Sequence, residues 1–190
     1  MDLNRIEEGF RLVLTGLGLD LESPHFKDSP GRIAKAWYEE LCAGLRDPGF
    51  EIRVFPVEEG YEPSMIVLQE IPVKSICAHH LLPFVGNATV AYIPDRHLAG
   101  LSKLSRVVDH FARKPQVQEH LTTEIAHFLN ENLRPQGIGV IVKATHLCME
   151  MRGVKHSSMM TTSTLLGTFL HDATVRAEFM ALAHAKNGVH

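Results

Sequence analysis

The first third of the chain carries its apolar residues at helical spacing. Residues 3–17, and a stretch that begins at Asp28-Ser29-Pro30, repeat apolar side chains every three or four positions, which is typical of amphipathic helices. The serine is the expected N-cap of the second helix, because a proline at the first helical position follows it. Residues 44–64 are rich in Gly, Pro and Glu and predict an exposed connection. The pattern predicts a helical region over residues 1–64.

The spacing of apolar residues changes after residue 64, and the pattern then predicts two strands, two helices, two strands and one closing helix. Strands are predicted over 65–76 and 85–93, with Pro72 indicating an edge or a bulge. Helices are predicted from Ser102, as N-cap, and from Pro115. Further strands are predicted over 137–151 and 161–170, and a closing helix over 175–185. Strands that are neighbours in sequence favour antiparallel pairing, so residues 65–190 are predicted to form one α+β domain.

Composition narrows the class of protein. The chain has 190 residues, 45% of them hydrophobic, 22% charged, with a net charge of -3, which predicts a globular protein that does not wrap a nucleic acid polymer. No apolar run is long enough to span a bilayer, and the polar, acidic first residues do not resemble a secretory signal. Three cysteines suit a reducing compartment, so we expect a cytoplasmic protein without a membrane partner.

Thiols and imidazoles concentrate in two short segments. Cys77-Ala78-His79-His80 follows the first predicted strand, and His146-Leu147-Cys148 lies in the third. Cys77, His80 and Cys148 form a soft ligand set that suits zinc. From spacing alone, a catalytic zinc with a water as fourth ligand, a structural zinc closed by His79 or His146, and no metal all remain open. Cys42 is expected to be a buried small hydrophobe.

The strand period adds a geometric expectation. Alternation within 137–151 would point His146, Cys148 and Glu150 to one face. If a water completes a zinc site, the metal supplies a nucleophile at neutral pH, and His79 and His146 could carry protons. The alternative for both histidines is a buried structural role.

Basic residues suggest a phosphate-binding region. Lys103 and Arg106 follow the expected cap of a helix, where backbone N–H groups attract phosphate, and Arg152 follows the His146–Cys148 segment. Arg32 and Lys35 share a helix face that spacing alone would leave solvated. The sequence has no G-x-x-x-x-G-K-[ST] phosphate loop, which excludes a P-loop GTPase.

Six segments in this order resemble the GTP cyclohydrolase I family. The resemblance covers about residues 28–179. The segments are Asp28-Ser29-Pro30-Gly31-Arg32-Ile33-Ala34-Lys35, Cys77-Ala78-His79-His80, Gly100-Leu101-Ser102-Lys103-Leu104-Ser105-Arg106, Arg113-Lys114-Pro115-Gln116-Val117-Gln118-Glu119, His146-Leu147-Cys148 with Arg152-Gly153, and Thr161-Thr162-Ser163.

The resemblance implies a fold and an assembly. It implies the tunnelling fold, an antiparallel four-stranded sheet with two helices on one face, preceded by N-terminal helices. It also implies a homo-oligomer, a decamer of two stacked pentamers, with active sites between subunits.

The resemblance further implies roles for named residues. Zn²⁺ would be held by Cys77, His80 and Cys148. Catalytic roles would fall to His79, His146 and Ser102. Substrate contacts would come from Gln118 and Glu119 at the guanine, from Lys103, Arg106 and Arg152 at the triphosphate, and from Arg32 and Lys35 of a neighbouring subunit.

The implied reaction converts GTP and water to 7,8-dihydroneopterin triphosphate and formate, the first step of folate or biopterin synthesis. Zinc-activated water would attack C8 of GTP, and His79 would protonate the N7 side as the ring opens. A second hydrolysis would release formate, and the ribose would rearrange and close a new ring, with His146 serving the later proton transfers.

One position departs from the family pattern. The family usually has Glu between the cysteine and the histidine pair, where this chain has Ala78. We expect metal binding and activity to survive this change. The alternative function is a non-catalytic zinc-stabilised nucleotide-binding module. A nucleobase deaminase would need H-x-E and P-C-x-x-C, which the chain lacks, and a reductase of the same fold superfamily would need a catalytic cysteine without the zinc set.

Overall fold

The computed structural model describes residues 1–46 and 51–185, and the chain divides into two compact units, residues 1–48 and 49–190. Residues 47–50 of the predicted connection and residues 186–190 of the predicted domain therefore lie outside the described residues. No helix among the described residues has both the length and the apolar character needed to cross a membrane.

The first unit is helical. It contains α1 (Leu3–Gly16), α2 (Ser29–Ala36), a π-helical turn (Trp37–Leu41) and a 3₁₀ turn (Ala43–Leu45). The carboxylate of Asp2 caps α1 by accepting a hydrogen bond from the backbone N–H of Arg5 at 3.1 Å. The rings of Phe10 and Trp37 pack 5.7 Å apart, and Cys42 is buried as expected, which raises the pKa of its thiol.

The second unit is an α+β domain. Its strands are β1 (Val54–Pro56), β2 (Ile66–Cys77), β3 (Pro83–Ile93), β4 (His97–Ala99), β5 (Pro115–Gln116), β6 (Gly137–His146) and β7 (Met159–Gly167). Its helices are α3 (Leu101–Ala112), α4 (Gln118–Leu133), α5 (Leu147–Glu150), α6 (Thr168–His171) and α7 (Ala173–His184).

The main sheet has the order β5-β2-β3-β6-β7. β2, β3, β6 and β7 pair antiparallel with their neighbours, and the two residues of β5 add a parallel contact with the end of β2. The register of β2 shifts between Leu68 and Ile71, where Glu70 has a φ of 55°, so the irregularity precedes Pro72. A separate two-stranded sheet pairs β1 with β4, and β1 lies inside the stretch for which the sequence predicted only a connection.

The sheet is covered on both faces. Val140 and Val142 lie in the larger core with α3 and α4, whereas Ile141 points to a smaller core that includes Phe169 of α6 and Phe179 of α7. Burial on both faces explains why β6 reads as a nearly continuous apolar run instead of a strict alternation. The closing helices therefore occupy the face opposite α3 and α4.

Several predicted element ends are wrong, each for a local reason. The strand predicted over 137–151 ends at His146, because its partner β3 begins at Pro83, and the following four residues form α5. Cys148 and Glu150 therefore do not continue the strand face of His146. The strand predicted over 161–170 ends at Gly167, whose φ of 58° suits glycine, and α6 follows.

The predicted helix starts also shift. The N-caps are Asp28 for α2 and Gly100 for α3, so neither Ser29 nor Ser102 has that role. The hydroxyl of Ser29 instead donates to the carbonyl of His25 at 3.3 Å. Pro115 does not open α4, because it pairs with β2 before the helix begins at Gln118.

Because Gly139 has no side chain, the aromatic rings of Phe169 in α6 and Phe179 in α7 can pack against its backbone. A Cβ there would lie 2.8 Å from Phe179 Cε1 and 2.9 Å from Phe169 Cδ1, and these two rings pack edge to face. We expect Gly139→Ala to lower the free energy of unfolding by about 1–3 kcal/mol through overpacking, measured by urea denaturation. Gly9→Ala is the control, since nothing lies within 4 Å of its Cβ position; equal stability of both variants would contradict this packing.

Candidate metal centre and its surroundings

A tight turn at the end of β2 presents the first cluster of ligands. The backbone N–H of Cys77 donates to Leu82 O at 2.8 Å, and that of Leu81 donates to Cys77 O at 2.9 Å. Leu81 adopts a φ of 54°, and the N–H of Ala78 donates to Gln116 O in β5 at 3.0 Å. The turn therefore keeps Cys77 buried and leaves both histidines exposed.

Cys148 reaches the same place from α5. The register of β3 and β6 sets Phe84 opposite His146, so the chain before β3 and the chain after β6 meet at one end of these two central strands. Ligand atoms of Cys77, His80 and Cys148 all lie within 4.8 Å of one another. Two sulfurs and an imidazole nitrogen at this spacing could hold one metal ion.

His80 is oriented by Arg152. Nη1 of Arg152 donates to Nε2 of His80 at 2.6 Å. A guanidinium only donates, so in this arrangement Nε2 carries the lone pair and Nδ1 carries the proton. Nδ1 lies 4.0 Å from the sulfur of Cys77, and Nδ1 of His79 lies at the same distance from that sulfur.

His146 lies in a buried network next to these groups. Its ring stacks on Phe84 with 4.6 Å between centroids and 9° between planes, and its Nε2 lies 2.9 Å from Oε1 of Gln118. Nε2 of Gln118 donates to the carbonyls of Val142 and Met160, at 3.0 and 3.2 Å, and to Oγ1 of Thr162 at 3.1 Å.

Burial shifts the pKa values of two groups. Desolvation lowers the pKa of His146, and the negative charge of Glu119 partly opposes that shift. Desolvation and the neighbouring thiol of Cys77 raise the pKa of Cys148, while the charge of Arg152 acts in the opposite sense. In the absence of a cation, the thiol of Cys148 is therefore protonated at neutral pH.

The remaining predicted site residues lie on other elements. Ser102, Lys103 and Arg106 occupy the first turns of α3, where Ser102 and Arg106 are exposed. Glu119 is exposed in the first turn of α4, directly after the fully buried Gln118.

Arg32 and Lys35 belong to the first unit. Each is exposed and paired within its own helical segment, Arg32 with Asp28 at 3.1 Å and Lys35 with Glu39 at 3.9 Å. Exposed pairs of this kind contribute little to stability, so they leave both side chains available for another anion.

Ala78 lines a cavity that includes none of the three candidate metal ligands. Its neighbours there include Lys114, His120 and Glu124, around a space of about 370 Å³. Lys114 and Glu124 form an ion pair at 2.7 Å. Ala78 thus lies outside the set of three converging ligand atoms.

Sequence reasoning did not single out Phe84, and it named Thr162 only within the segment Thr161-Thr162-Ser163, without a role. Neither residue type signals a site, but the register of an antiparallel pair would have placed Phe84 opposite His146. Thr162 is recognisable only once Gln118 is known to be buried against β7.

Known proteins resemble this chain over nearly its whole length. A sequence model described as GTP cyclohydrolase I matches residues 6–184. The chain belongs to the GTP cyclohydrolase I family. It is 45% identical over 183 residues to GTP cyclohydrolase 1 of Aquifex aeolicus, covering 96% of this chain and 97% of that protein.

A second bacterial relative gives the same result. GTP cyclohydrolase 1 of Acetivibrio thermocellus is 46% identical over 189 residues, covering 98% of this chain and all of that protein. Among solved structures, the apo archaeosine synthase QueF-Like aligns with 55% of this chain and 96% of its own, at 16% identity and a TM-score of 0.44, a likeness too distant to carry an argument. Membership of a family of enzymes therefore rests on the sequence relatives.

The raised pKa of Cys148 predicts a pH-dependent metal affinity. Because a cation must displace the thiol proton, affinity should rise as pH increases from about 6 to about 8, with protons released on binding. Competition with a chromophoric chelator, and titration in weakly buffered solution, measure both effects. Cys148→Ser should bind weakly and release fewer protons; an affinity that does not change with pH would contradict the assignment.

Proposed function

We propose that this protein converts GTP and water to 7,8-dihydroneopterin triphosphate and formate, the opening step of folate or biopterin synthesis, in the cytoplasm. The observation that carries the proposal is the convergence of Cys77, His80 and Cys148 in a chain that shares 45% identity with named GTP cyclohydrolases. Ring opening of a purine requires an activated water and proton donors, and both can be supplied here.

The donor set fits zinc. Two thiols and one imidazole are typical zinc ligands, and three protein ligands leave a fourth position for water, as in catalytic zinc sites. When bound, zinc supplies Lewis acidity and lowers the pKa of that water toward about 7. Nδ1 of His80 lies on the side of the Cys77 sulfur, so it must give up its proton to hold the ion, and the ring nitrogen Nε2 then no longer accepts a hydrogen bond from Arg152.

Two histidines are placed to move protons. His79 is exposed, and its Nδ1 lies 4.0 Å from the sulfur of Cys77, so it can deliver a proton to the N7 side of a purine held beside the ligand set. His146 is half-buried and predominantly neutral near pH 7, because burial lowers its pKa, and it can accept a proton during later steps. Ser102 would contribute a hydroxyl on the ribose side.

The charges around the site suit a nucleoside triphosphate. Glu119 is exposed at the start of α4 and can accept hydrogen bonds from the N–H groups of a guanine edge. Lys103 and Arg106 lie in the first turns of the twelve-residue α3, and Arg152 contacts His80. These three cations are the proposed contacts of the triphosphate. Arg32 and Lys35 would complete the site from a neighbouring subunit.

A ring assembly is compatible with the sheet. β7 has no partner beyond β6 within the described chain, and β2 has only the two residues of β5 on its outer side. Two sheet edges that are largely unpaired allow copies to continue the sheet around a ring. These edges support a ring of joined sheets, and we propose the tunnelling fold and a decamer of two pentamers as the assembly.

Formate release tests the reaction. Purified protein with GTP and zinc should release formate and yield a product that fluoresces after oxidation, although Ala78 replaces the family's glutamate. Cys148→Ser should lose both metal and turnover, by roughly 100-fold or more, because a thiolate ligand is removed. Cys42→Ala is the matched control, since Cys42 is a buried cysteine of the first unit.

Two outcomes would overturn the proposal. Zinc-loaded protein that binds GTP without formate release would favour the non-catalytic nucleotide-binding module. Turnover of Cys148→Ser equal to that of the parent would contradict the assignment of Cys148 as a metal ligand.

A further inference from the structure

The buried glutamine of α4 is the side chain whose placement differs most from its expected use. Gln118 is 0% exposed, whereas Glu119 beside it is exposed. Consecutive residues of a helix point in different directions, so the side chains of Gln118 and Glu119 face different surroundings. Glu119 is accessible to a ligand, whereas Gln118 is not.

The orientation of the Gln118 amide is determined by its partners. Val142 O and Met160 O, at 3.0 and 3.2 Å, are carbonyls and can only accept, so the amide nitrogen must face them. Oγ1 of Thr162 adds a third acceptor at 3.1 Å, and Thr162 is itself held by Oγ1 of Thr122 at 2.5 Å. The amide oxygen therefore faces Nε2 of His146.

This orientation fixes the proton on His146. An amide oxygen only accepts, so the 2.9 Å contact requires Nε2 of the imidazole to donate. The neutral ring then presents Nδ1 as its lone pair. Stacking on the fully buried Phe84 fixes the plane of the ring as well.

We propose that Gln118 is a positioning residue, which accepts a hydrogen bond from Nε2 of His146 and so presents Nδ1 of that ring to the reacting atoms. The inference rests on the proposed function for its catalytic consequence. In this proposal Gln118 does not contact guanine, and Glu119 recognises the base.

The tautomer is observable in the parent enzyme. Protein loaded with zinc and labelled with ¹⁵N-histidine contains 12 histidines, and loss of one signal set in His146→Asn assigns that residue. A protonated and a bare imidazole nitrogen differ widely in ¹⁵N chemical shift. We expect the proton on Nε2; a proton on Nδ1 would overturn the proposal.

Kinetics separates positioning from substrate contact. Gln118→Met keeps the length of the side chain and removes the four hydrogen bonds of its amide, so kcat should fall about 10- to 100-fold with KM for GTP within about threefold. The ¹⁵N signals of His146 should change together with kcat. A raised KM with unchanged kcat would overturn the proposal, because it would indicate direct binding of GTP.

Thr123→Val is the matched control. Thr123 lies on the same turn of α4 as Thr122 and approaches Thr164 of β7 at 3.4 Å, but it is exposed and outside the Gln118 network. Both kcat and the His146 spectrum should match the parent. If Gln118→Met fails to fold, the spectrum of the parent still decides between the two tautomers.

The same samples separate this inference from the proposed function. A parent that releases no formate would refute the proposed function, and the spectrum would then decide the arrangement of Gln118 and His146 by itself. In that case a proton on Nε2 still supports the arrangement, and a proton on Nδ1 refutes it.

Discussion

The antiparallel pairing of β3 with β6 is the constraint on which the candidate site depends. Its register sets Phe84 opposite His146, and this brings the turn before β3 and the short helix after β6 to the same end of these two central strands. Cys77 and His80 come from the first of these segments and Cys148 from the second. A slip of one residue would turn His146 to the other face and separate the ligands, so the apolar cores on both faces of the sheet also hold the site in register.

Buried and exposed side chains lie close together in the segments that form the site, and this difference in exposure has chemical consequences. Cys77 is buried while His79 and His80 are exposed, so the thiol is shielded and the imidazoles remain accessible. On α4, Gln118 is buried and Glu119 exposed, which separates a group that orients a neighbouring side chain from one that can meet a ligand. Burial also keeps the thiol of Cys148 protonated until a cation displaces the proton, so metal binding and pH are linked.

The sequence predicted the α+β class and the ligand set because both depend on local signals. Hydrophobic periodicity identified the long elements, and the C-x-x-H spacing identified the turn after β2. The sequence placed Cys148 near the site for the wrong reason, because it extended the two-residue alternation of the strand past His146. The partner strand begins at Pro83, so the β3–β6 ladder ends at His146. The β1–β4 pair and the position of α6 and α7 rest on contacts between distant residues, which periodicity does not report. The burial of Gln118 was missed for the same reason, since its partners come from β6 and β7.

X-ray absorption at the zinc edge, on protein loaded with one equivalent of zinc, tests the central claim most directly. The three converging side chains require two sulfurs at about 2.3 Å, one imidazole nitrogen, and one oxygen from water at about 2.0–2.1 Å. That result would establish a site held by three protein ligands and open at the fourth position, as hydrolysis needs. Four protein donors without an oxygen would contradict the account and indicate a closed structural site.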